Sequence, residues 1–130
     1  MYSILMKVES DLFVKKERIK RRIESDLSDH GIDQAEVSLA FVGRESMRLL
    51  NKKFRGLSEA TCVLSFSQTE KKGGKEFFSS PDDFLRLGDV IVCCPVASEM
   101  AQEAGITVDE QIEDLAAHGL LHLLGIHHEE

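Results

Sequence analysis

The stretch HGLLHLLGIHH, residues 118–128, holds four of the five histidines of this chain. His118 and His122 are four residues apart, so on an α-helix they differ by about 40° in direction and by ~6 Å in height. The four leucines between the histidines need an apolar partner, which opposes the alternatives of surface histidines or a tag-like cluster. The stretch therefore predicts a helix packed on a core, with a metal site at its C-terminal end.

A third imidazole is available just after this helix. Gly125 suits the left-handed conformation that ends a helix, and the three residues after it span at most ~10 Å, enough to bring His128 back. Three neutral imidazoles with one open position are the ligand set of a catalytic zinc, which brings the pKa of bound water to about 7. We predict one zinc ion held by His118, His122 and His128, with His127 as the alternative third ligand, in a metal-dependent hydrolase.

The apolar pattern before this helix predicts one α+β domain over residues 1–130. We expect a small mixed β-sheet of about four strands with helices packed on it and the metal site on the C-terminal helix and following turn. The last helix should begin with a capping box formed by Thr107 and Glu110. The predicted strands are 3–9, 36–42, 61–67 and 87–94, the last buried on both faces, and the predicted helices are 11–28, 46–55, 96–105 and 107–124.

Composition restricts the class of protein. Apolar residues make up 42% and charged residues 30% of the 130 residues, which is typical of a globular protein. No apolar run has the length that a membrane span requires, and the N-terminus does not resemble a signal peptide. The cysteines, Cys62, Cys93 and Cys94, form no C-x-x-C motif and fit small core residues in a reducing compartment. We therefore expect a cytoplasmic location.

The net charge of −7 is distributed unevenly. Fifteen of the sixteen Lys and Arg residues precede position 76, whereas the remainder of the chain is strongly acidic. This asymmetry suggests a polyanion-binding face opposite an acidic one, although two solvated helix faces would give the same pattern. The basic residues in or next to the first two predicted helices that could form this polyanion-binding face are Lys15, Lys16, Lys20, Arg21, Arg22, Arg44, Arg48, Lys52 and Lys53.

The histidine spacing also occurs in metzincin proteases, which carry a glutamate general base directly after the first histidine. Here that position is Gly119. Only two residues follow His128, which leaves no room for the Met-turn beneath a metzincin zinc. A metalloprotease-like hydrolase is therefore an alternative that lacks its usual proton acceptor.

Three motifs together resemble the YbeY family of zinc-dependent endoribonucleases. The family signature H-G-x-L-H-L-x-G-Y-D-H is similar to residues 118–128, which read HGLLHLLGIHH. The family's L-N-x-x-Y-R and P-T-D-V-L-S-F-P resemble LNKKFR at 50–55 and ATCVLSFS at 60–67. Its L-G-D-I-V-I resembles LGDVIV at 87–92. The motifs stand in the family's order and span most of the chain.

This resemblance implies a function and its residues. It implies a YbeY-like hydrolase domain that cleaves single-stranded RNA in ribosomal RNA maturation and ribosome quality control, with rRNA and the small ribosomal subunit as partners. The basic residues in or next to the first two predicted helices would then contact the RNA backbone, although solvated helix faces remain the alternative. It implies that His118, His122 and His128 bind the zinc and that Arg55 is the catalytic arginine beside it. A guanidinium suits that role because its planar donors hold a phosphate and stabilise the charge that develops on it.

Two residues depart from the family pattern. Cys62 and His127 stand where the family has aspartates, and ligating imidazoles commonly donate their second N–H to such carboxylates. These departures keep a third alternative open, a non-catalytic RNA-binding or ribosome-assembly protein whose zinc is structural.

Overall fold

A computed structural model describes residues 1–68 and 85–125 of the chain. Helices and strands alternate through the first two-thirds of the described sequence, and two helices end it. The elements are β1 (Tyr2–Val8), α1 (Lys16–Asp29), β2 (Ala35–Val42), α2 (Arg44–Arg55), β3 (Val63–Ser67), β4 (Leu85–Cys93), α3 (Cys94–Ala104) and α4 (Val108–Leu123).

The four strands form one mixed sheet in the order β1-β2-β4-β3. β1, β2 and β4 run parallel, whereas β3 pairs with β4 in the antiparallel direction. Parallel neighbours need a crossover connection, and α1 provides it between β1 and β2. The predicted α+β class with a small mixed sheet is confirmed, and the antiparallel strand lies at one edge.

One face of the sheet is covered by α1 and α4. Alternate residues of β2, from Ala35 to Phe41, point into this core, as the two-residue period of a strand requires. Ile19, Ile23 and Leu27 of α1 meet them because residues four apart share one face of a helix. This larger core supports α4, the helix that carries the histidines.

The opposite face of the sheet is covered only in part. There α2 places Met47 against Leu64 and Cys93 in a second, smaller cluster. Asp89 and Ile91 of β4 point to this face and are only half-buried. The expectation that the strand at 87–94 is buried on both faces is therefore wrong, because no second described helix covers its open side.

The first helix begins later than its apolar pattern predicts. The pattern indicates residue 11, but α1 starts at Lys16. Asp11 has a positive φ of 72°, and the backbone N–H of Leu12 donates to the carbonyl of Glu9, so this segment is a turn. Leu12 packs against the main core from this turn, and for that reason an apolar residue stands at a helical spacing ahead of α1. Spacing alone did not distinguish a buried turn residue from a helical one.

The N-terminus of α2 is capped by a residue that is distant in the sequence. Glu9 follows β1, and its Oε1 accepts the N–H of Gly43 at 2.6 Å while its Oε2 accepts the hydroxyl of Ser46 at 2.5 Å. The Ser46 hydrogen bond, followed by the Gly43 hydrogen bond, lowers the pKa of Glu9. A carboxylate at this position also suits the positive end of the helix dipole.

The two ends of α4 follow their sequence signals. Thr107 Oγ1 accepts the N–H of Glu110 at 3.1 Å, and a Glu110 side-chain oxygen accepts the N–H of Thr107 at 3.4 Å. The predicted capping box is thus confirmed. The helix ends at Leu123, one residue earlier than predicted, and Gly125 adopts a left-handed φ of 84°.

The three cysteines are free thiols in or beside the core. Cys93 and Cys94 are buried, and burial raises the pKa of Cys94 to about 11. Cys62 is half-buried and packs against the main core. The prediction of small core residues is confirmed for two cysteines and holds in part for Cys62. Within residues 1–68 and 85–125, none of the helices has the length and apolar character to cross a membrane.

Candidate metal centre at the end of the last helix

The structure brings two of the three predicted ligands together. The ring centroids of His118 and His122 are 4.7 Å apart, and their planes are inclined at 52°. Two imidazoles that share a tetrahedral zinc have centroids separated by roughly 5 Å, given Zn–N distances of about 2.0 Å. Both side chains are half-buried. The pair therefore fits two adjacent positions on one ion.

Gly119 explains why this helix approaches the sheet so closely. A Cβ atom at position 119 would lie 2.5 Å from Val90 Cγ1 and 3.4 Å from Val63 Cγ2. Gly119 is buried and faces the sheet, whereas its neighbour His118 is directed elsewhere. A glutamate at this position would enter the core. The residue that removes the protease base is thus required by packing, which weakens the metalloprotease alternative.

A shallow depression lies beside His118, between α1 and α4. Its volume is about 260 Å³. Arg22 borders it and donates from Nη1 to Asp114 Oδ1 at 3.0 Å, while the ring of His30 contacts the carbonyl of Asp26 at 2.8 Å. Both a cation, Arg22, and the carboxylates of Asp26 and Asp114 therefore lie on this side of His118, and the sequence pattern had pointed to neither acid.

The roles of the remaining predicted site residues stay predictions. His127 and His128 lie outside the described residues, so the third ligand stays a prediction. Among residues 1–68 and 85–125, no group of three His, Cys, Asp or Glu side chains could hold a metal. Arg55 is exposed and is the last residue of α2, which packs on the sheet face opposite α4. Its role beside the metal also stays a prediction.

A buried asparagine organises the chain that follows Arg55. Asn51 is 1% exposed, and its Nδ2 donates to the carbonyl of Glu59 at 2.8 Å. This bond ties α2 to the connection that leads into β3, the edge strand beside α4. The motif LNKKFR therefore combines a structural asparagine with an exposed arginine. The sequence signal for Asn51 was its place in that motif.

Ion pairs explain much of the charge asymmetry. Arg18 contacts Glu113 and, at 4.0 Å, Asp109, while Arg22 reaches Asp114, so the basic face of α1 lies against the acidic start of α4. Other basic residues proposed for RNA are also paired: Lys15 with Asp109, Arg44 with Glu99 and Arg48 with Glu45. In the described chain the proposed cations outside any ion pair are Lys16, Lys20, Arg21, Lys52 and Lys53.

Sequence inspection missed an apolar groove on the open face of the sheet. Its volume is about 680 Å³. Phe54 of α2 and Phe66 of β3 form one wall, with ring centroids 5.1 Å apart. Leu5 and Lys7 are two residues apart in β1 and therefore lie on one face of the strand, which the sequence could have indicated. Only the strand order shows that this face shares a surface with α2.

Comparison with known proteins covers almost the whole chain. The model of the family described as endoribonuclease YbeY matches residues 6–130. The endoribonuclease YbeY of a Sulfurihydrogenibium species is 38% identical over 116 residues, which cover 89% of this chain and 71% of that protein. The protein of the same name from Persephonella marina is 34% identical over 130 residues, covering 99% of this chain and 80% of its own length.

A further relative and a solved structure are also similar to this chain. The Geobacillus thermodenitrificans endoribonuclease YbeY is 42% identical over 95 residues, which cover 73% of this chain and 61% of that protein. The solution structure of TM1509 from Thermotoga maritima has a TM-score of 0.62 and 26% identity, and the match covers 97% of this chain and 75% of that one. On the family match and these identities, the chain belongs to the endoribonuclease YbeY family.

Proposed function

We propose that this protein is a zinc-dependent endoribonuclease that cleaves single-stranded RNA during ribosomal RNA maturation and ribosome quality control. The family to which it belongs is named for hydrolysis of RNA. The observation that carries the assignment of the site is the His118–His122 pair, with ring centroids 4.7 Å apart on the helix that bears the family's signature. The small ribosomal subunit as partner and the cytoplasm as location are parts of the same proposal.

The donor set fits the proposed metal. His118 and His122 would hold one zinc ion together with His128, and the ion would supply Lewis acidity and an acidified water at an open position. α4 fixes the first two ligands because its packing against Val90 determines both its depth and its rotation. The site is therefore built on a rigid element, as accurate positioning of catalytic groups requires.

Arg55 would bind the scissile phosphate. Its guanidinium is exposed, and it stands outside the ion pairs that engage many of the other arginines in the described chain. A guanidinium offers paired donors to phosphate oxygens and stabilises negative charge that grows on them during cleavage. The hydrogen bond of Asn51 to residue 59 fixes the segment after this arginine.

Metal analysis and RNA cleavage test the proposal together. We expect purified protein to contain about one zinc per chain and His118→Ala to lose both the metal and cleavage of a structured rRNA fragment. Arg55→Ala should keep the metal but lose cleavage by about 100-fold or more, which is the size of losing one transition-state contact. Arg86→Ala is the matched control, because it removes an exposed arginine of β4 that borders neither the depression beside His118 nor the apolar groove, and it should leave both quantities unchanged.

The outcomes separate the alternatives. Equal cleavage by the wild type, His118→Ala and Arg55→Ala would indicate a contaminating nuclease and refute the assignment. RNA binding without cleavage under any metal would favour a non-catalytic assembly factor with a structural zinc. Chelator-sensitive proteolysis would revive the protease alternative. Comparing the metal content of His127→Ala with that of His128→Ala identifies the third ligand.

A further inference from the structure

The groove on the open face of the sheet crosses all four strands. Leu5 lies opposite Ser38, Ser38 opposite Asp89, and Asp89 opposite Phe66, so one row of side chains runs from β1 to β3. Adjacent strands are about 4.8 Å apart, which gives this row a length of about 14 Å. A second row beside it contains Lys7, Ala40 and Ile91.

An exposed aromatic ring stands at one end of these rows. Phe54 is 54% exposed although it belongs to α2 and adjoins the groove. Its ring is inclined at 56° to that of Phe66, which holds one side of it and leaves the remainder accessible. A single exposed phenylalanine needs no explanation, but one that forms the wall of an apolar groove marks a binding surface.

Four cations lie beside this wall or in the same turn of α2. Lys53 Nζ lies 5.4 Å from the centre of the Phe54 ring, and Lys52 and Arg55 belong to the same last turn of α2. Lys7 lines the groove itself. Within residues 1–68 and 85–125 none of these four forms an ion pair; on α1, Arg18 and Arg22 are paired with α4, whereas Lys16, Lys20 and Arg21 are not.

We propose that this groove is a base-binding subsite for single-stranded RNA. A base would stack on Phe54, with the flanking phosphates near Lys53, Lys52 and Arg55. Aromatic stacking and unpaired cations are the two components that bind single strands. The inference rests on the proposed function, because it assigns part of the surface that would hold the RNA. An apolar peptide would match the floor but would leave the four cations unexplained.

The polar residues of the floor suggest which bases are favoured. Asp89 can accept a hydrogen bond from an exocyclic amino group, which cytosine, adenine and guanine carry and uracil lacks. Ser38, its neighbour in the same row, can donate or accept. The groove lies on the face opposite α4, so it would hold a base that flanks the cleaved linkage and not the linkage itself. Phe54 directly precedes Arg55, so one helix end links the stacked base to the phosphate-binding arginine.

Anisotropy of a fluorescein-labelled oligoribonucleotide of about ten cytidines tests the proposal. Binding to the full chain is measured in the cold within minutes, and a gel verifies that the RNA stays intact. We expect Phe54→Ala to weaken binding about tenfold. Phe13→Ala is the matched control, because Phe13 is 79% exposed and lies outside the groove, and it should change binding by less than about twofold.

Three comparisons separate stacking from a general loss of structure or charge. Phe54→Tyr should bind as the wild type does, whereas Phe54→Leu should be as weak as Phe54→Ala, because it keeps the apolar bulk but not the ring. An abasic oligonucleotide of the same length should bind the wild type and Phe54→Ala equally. Asp89→Asn should reduce the preference for cytidine over uridine.

Unchanged RNA binding by Phe54→Ala would overturn the proposal, as would an equal loss for the abasic strand. If the groove instead receives a protein segment, Phe54→Ala will leave RNA affinity unchanged, which is the same refutation. Failure of the nuclease assignment is a separate result. A protein that never cuts RNA but binds it through Phe54 keeps this subsite, and one that cuts RNA with Phe54→Ala at full affinity loses it.

Discussion

The two faces of the β-sheet differ in how completely helices cover them. Val90 is fully buried beneath α4, while the next residue, Ile91, is half-buried on the open face. One face has two helices and the larger apolar core, and the other has α2 over one end only. The closed face therefore fixes the position of the histidine helix, and the open face keeps surface available for a ligand.

The charged side chains on the two sides of the sheet also have different surroundings. On the closed side, the cations of α1 meet carboxylates of α4, with Arg22 and Asp114 joined at 3.0 Å. Exposed pairs of this kind contribute little stability, typically less than about 1 kcal/mol each, but they help to define how the two helices meet. On the open side, Lys52, Lys53 and Arg55 stand outside ion pairs in the described chain. Lys16, Lys20 and Arg21 of α1 do so as well, and the end of α2 differs from α1 in that its unpaired cations adjoin an exposed aromatic ring and a groove.

The largest effect is expected when one leucine on each face of the sheet is truncated to alanine. Leu120 of α4 is fully buried, so Leu120→Ala should destabilise the protein by about 2–5 kcal/mol. Leu5 of β1 is 52% exposed on the open face, so Leu5→Ala should cost less than about 1 kcal/mol. Urea unfolding measures both free energies. Similar losses would mean that the two faces contribute equally and would contradict the division.

A smaller effect is expected at the contact between α4 and the sheet. Gly119→Ala places a methyl group against Val90, an overpacking that costs about 1–3 kcal/mol, partly offset by the ~1 kcal/mol by which alanine favours a helix. The net effect should be destabilising by up to about 2 kcal/mol.

The sign of that effect should depend on Val90. In a Val90→Ala background the nearest methyl groups are gone, and Gly119→Ala should then become stabilising by up to about 1 kcal/mol. A double-mutant cycle from thermal or urea unfolding gives this comparison. Destabilisation by Gly119→Ala in both backgrounds would show that Val90 is not what limits the approach of α4.

The smallest expected effect concerns pH and the cap of α2 on the open face. The Ser46 and Gly43 hydrogen bonds lower the pKa of Glu9 from its ordinary value of 4.5. Glu9 therefore contributes stability that is present above pH 4.5 and is lost as the pH falls through its lower folded-state pKa. Glu9→Gln should be less stable than the wild type near neutral pH, and the difference should shrink in acid.

Ser46→Ala provides the control for this pH effect. It removes the larger of the two contacts that lower the pKa of Glu9, so its pH dependence should fall between those of the wild type and Glu9→Gln. Unfolding curves at a series of pH values test both variants. A stability difference for Glu9→Gln that is constant with pH would exclude the capping role.

Much of the architecture was predictable because its signals are local. The period of the apolar residues predicted all eight elements, and the capping box of Thr107 and Glu110 marked the start of α4 to within one residue. Local signals failed where a tertiary contact replaced a local one. Leu12 keeps helical spacing within a turn, and α2 is capped by the distant Glu9. Neither contact is visible in a window of neighbouring residues.

The sequence by itself determined that the two candidate ligands lie together. The spacing of His118 and His122 places both rings on one helix face, and their centroids are 4.7 Å apart. Only the tertiary structure shows that α4 lies so close to Val90 that a side chain at position 119 would clash. It also shows that Phe54 borders a groove on the open face of the sheet. The physical reason is that periodicity reports burial along one element, whereas strand order and helix contacts join residues far apart in the chain.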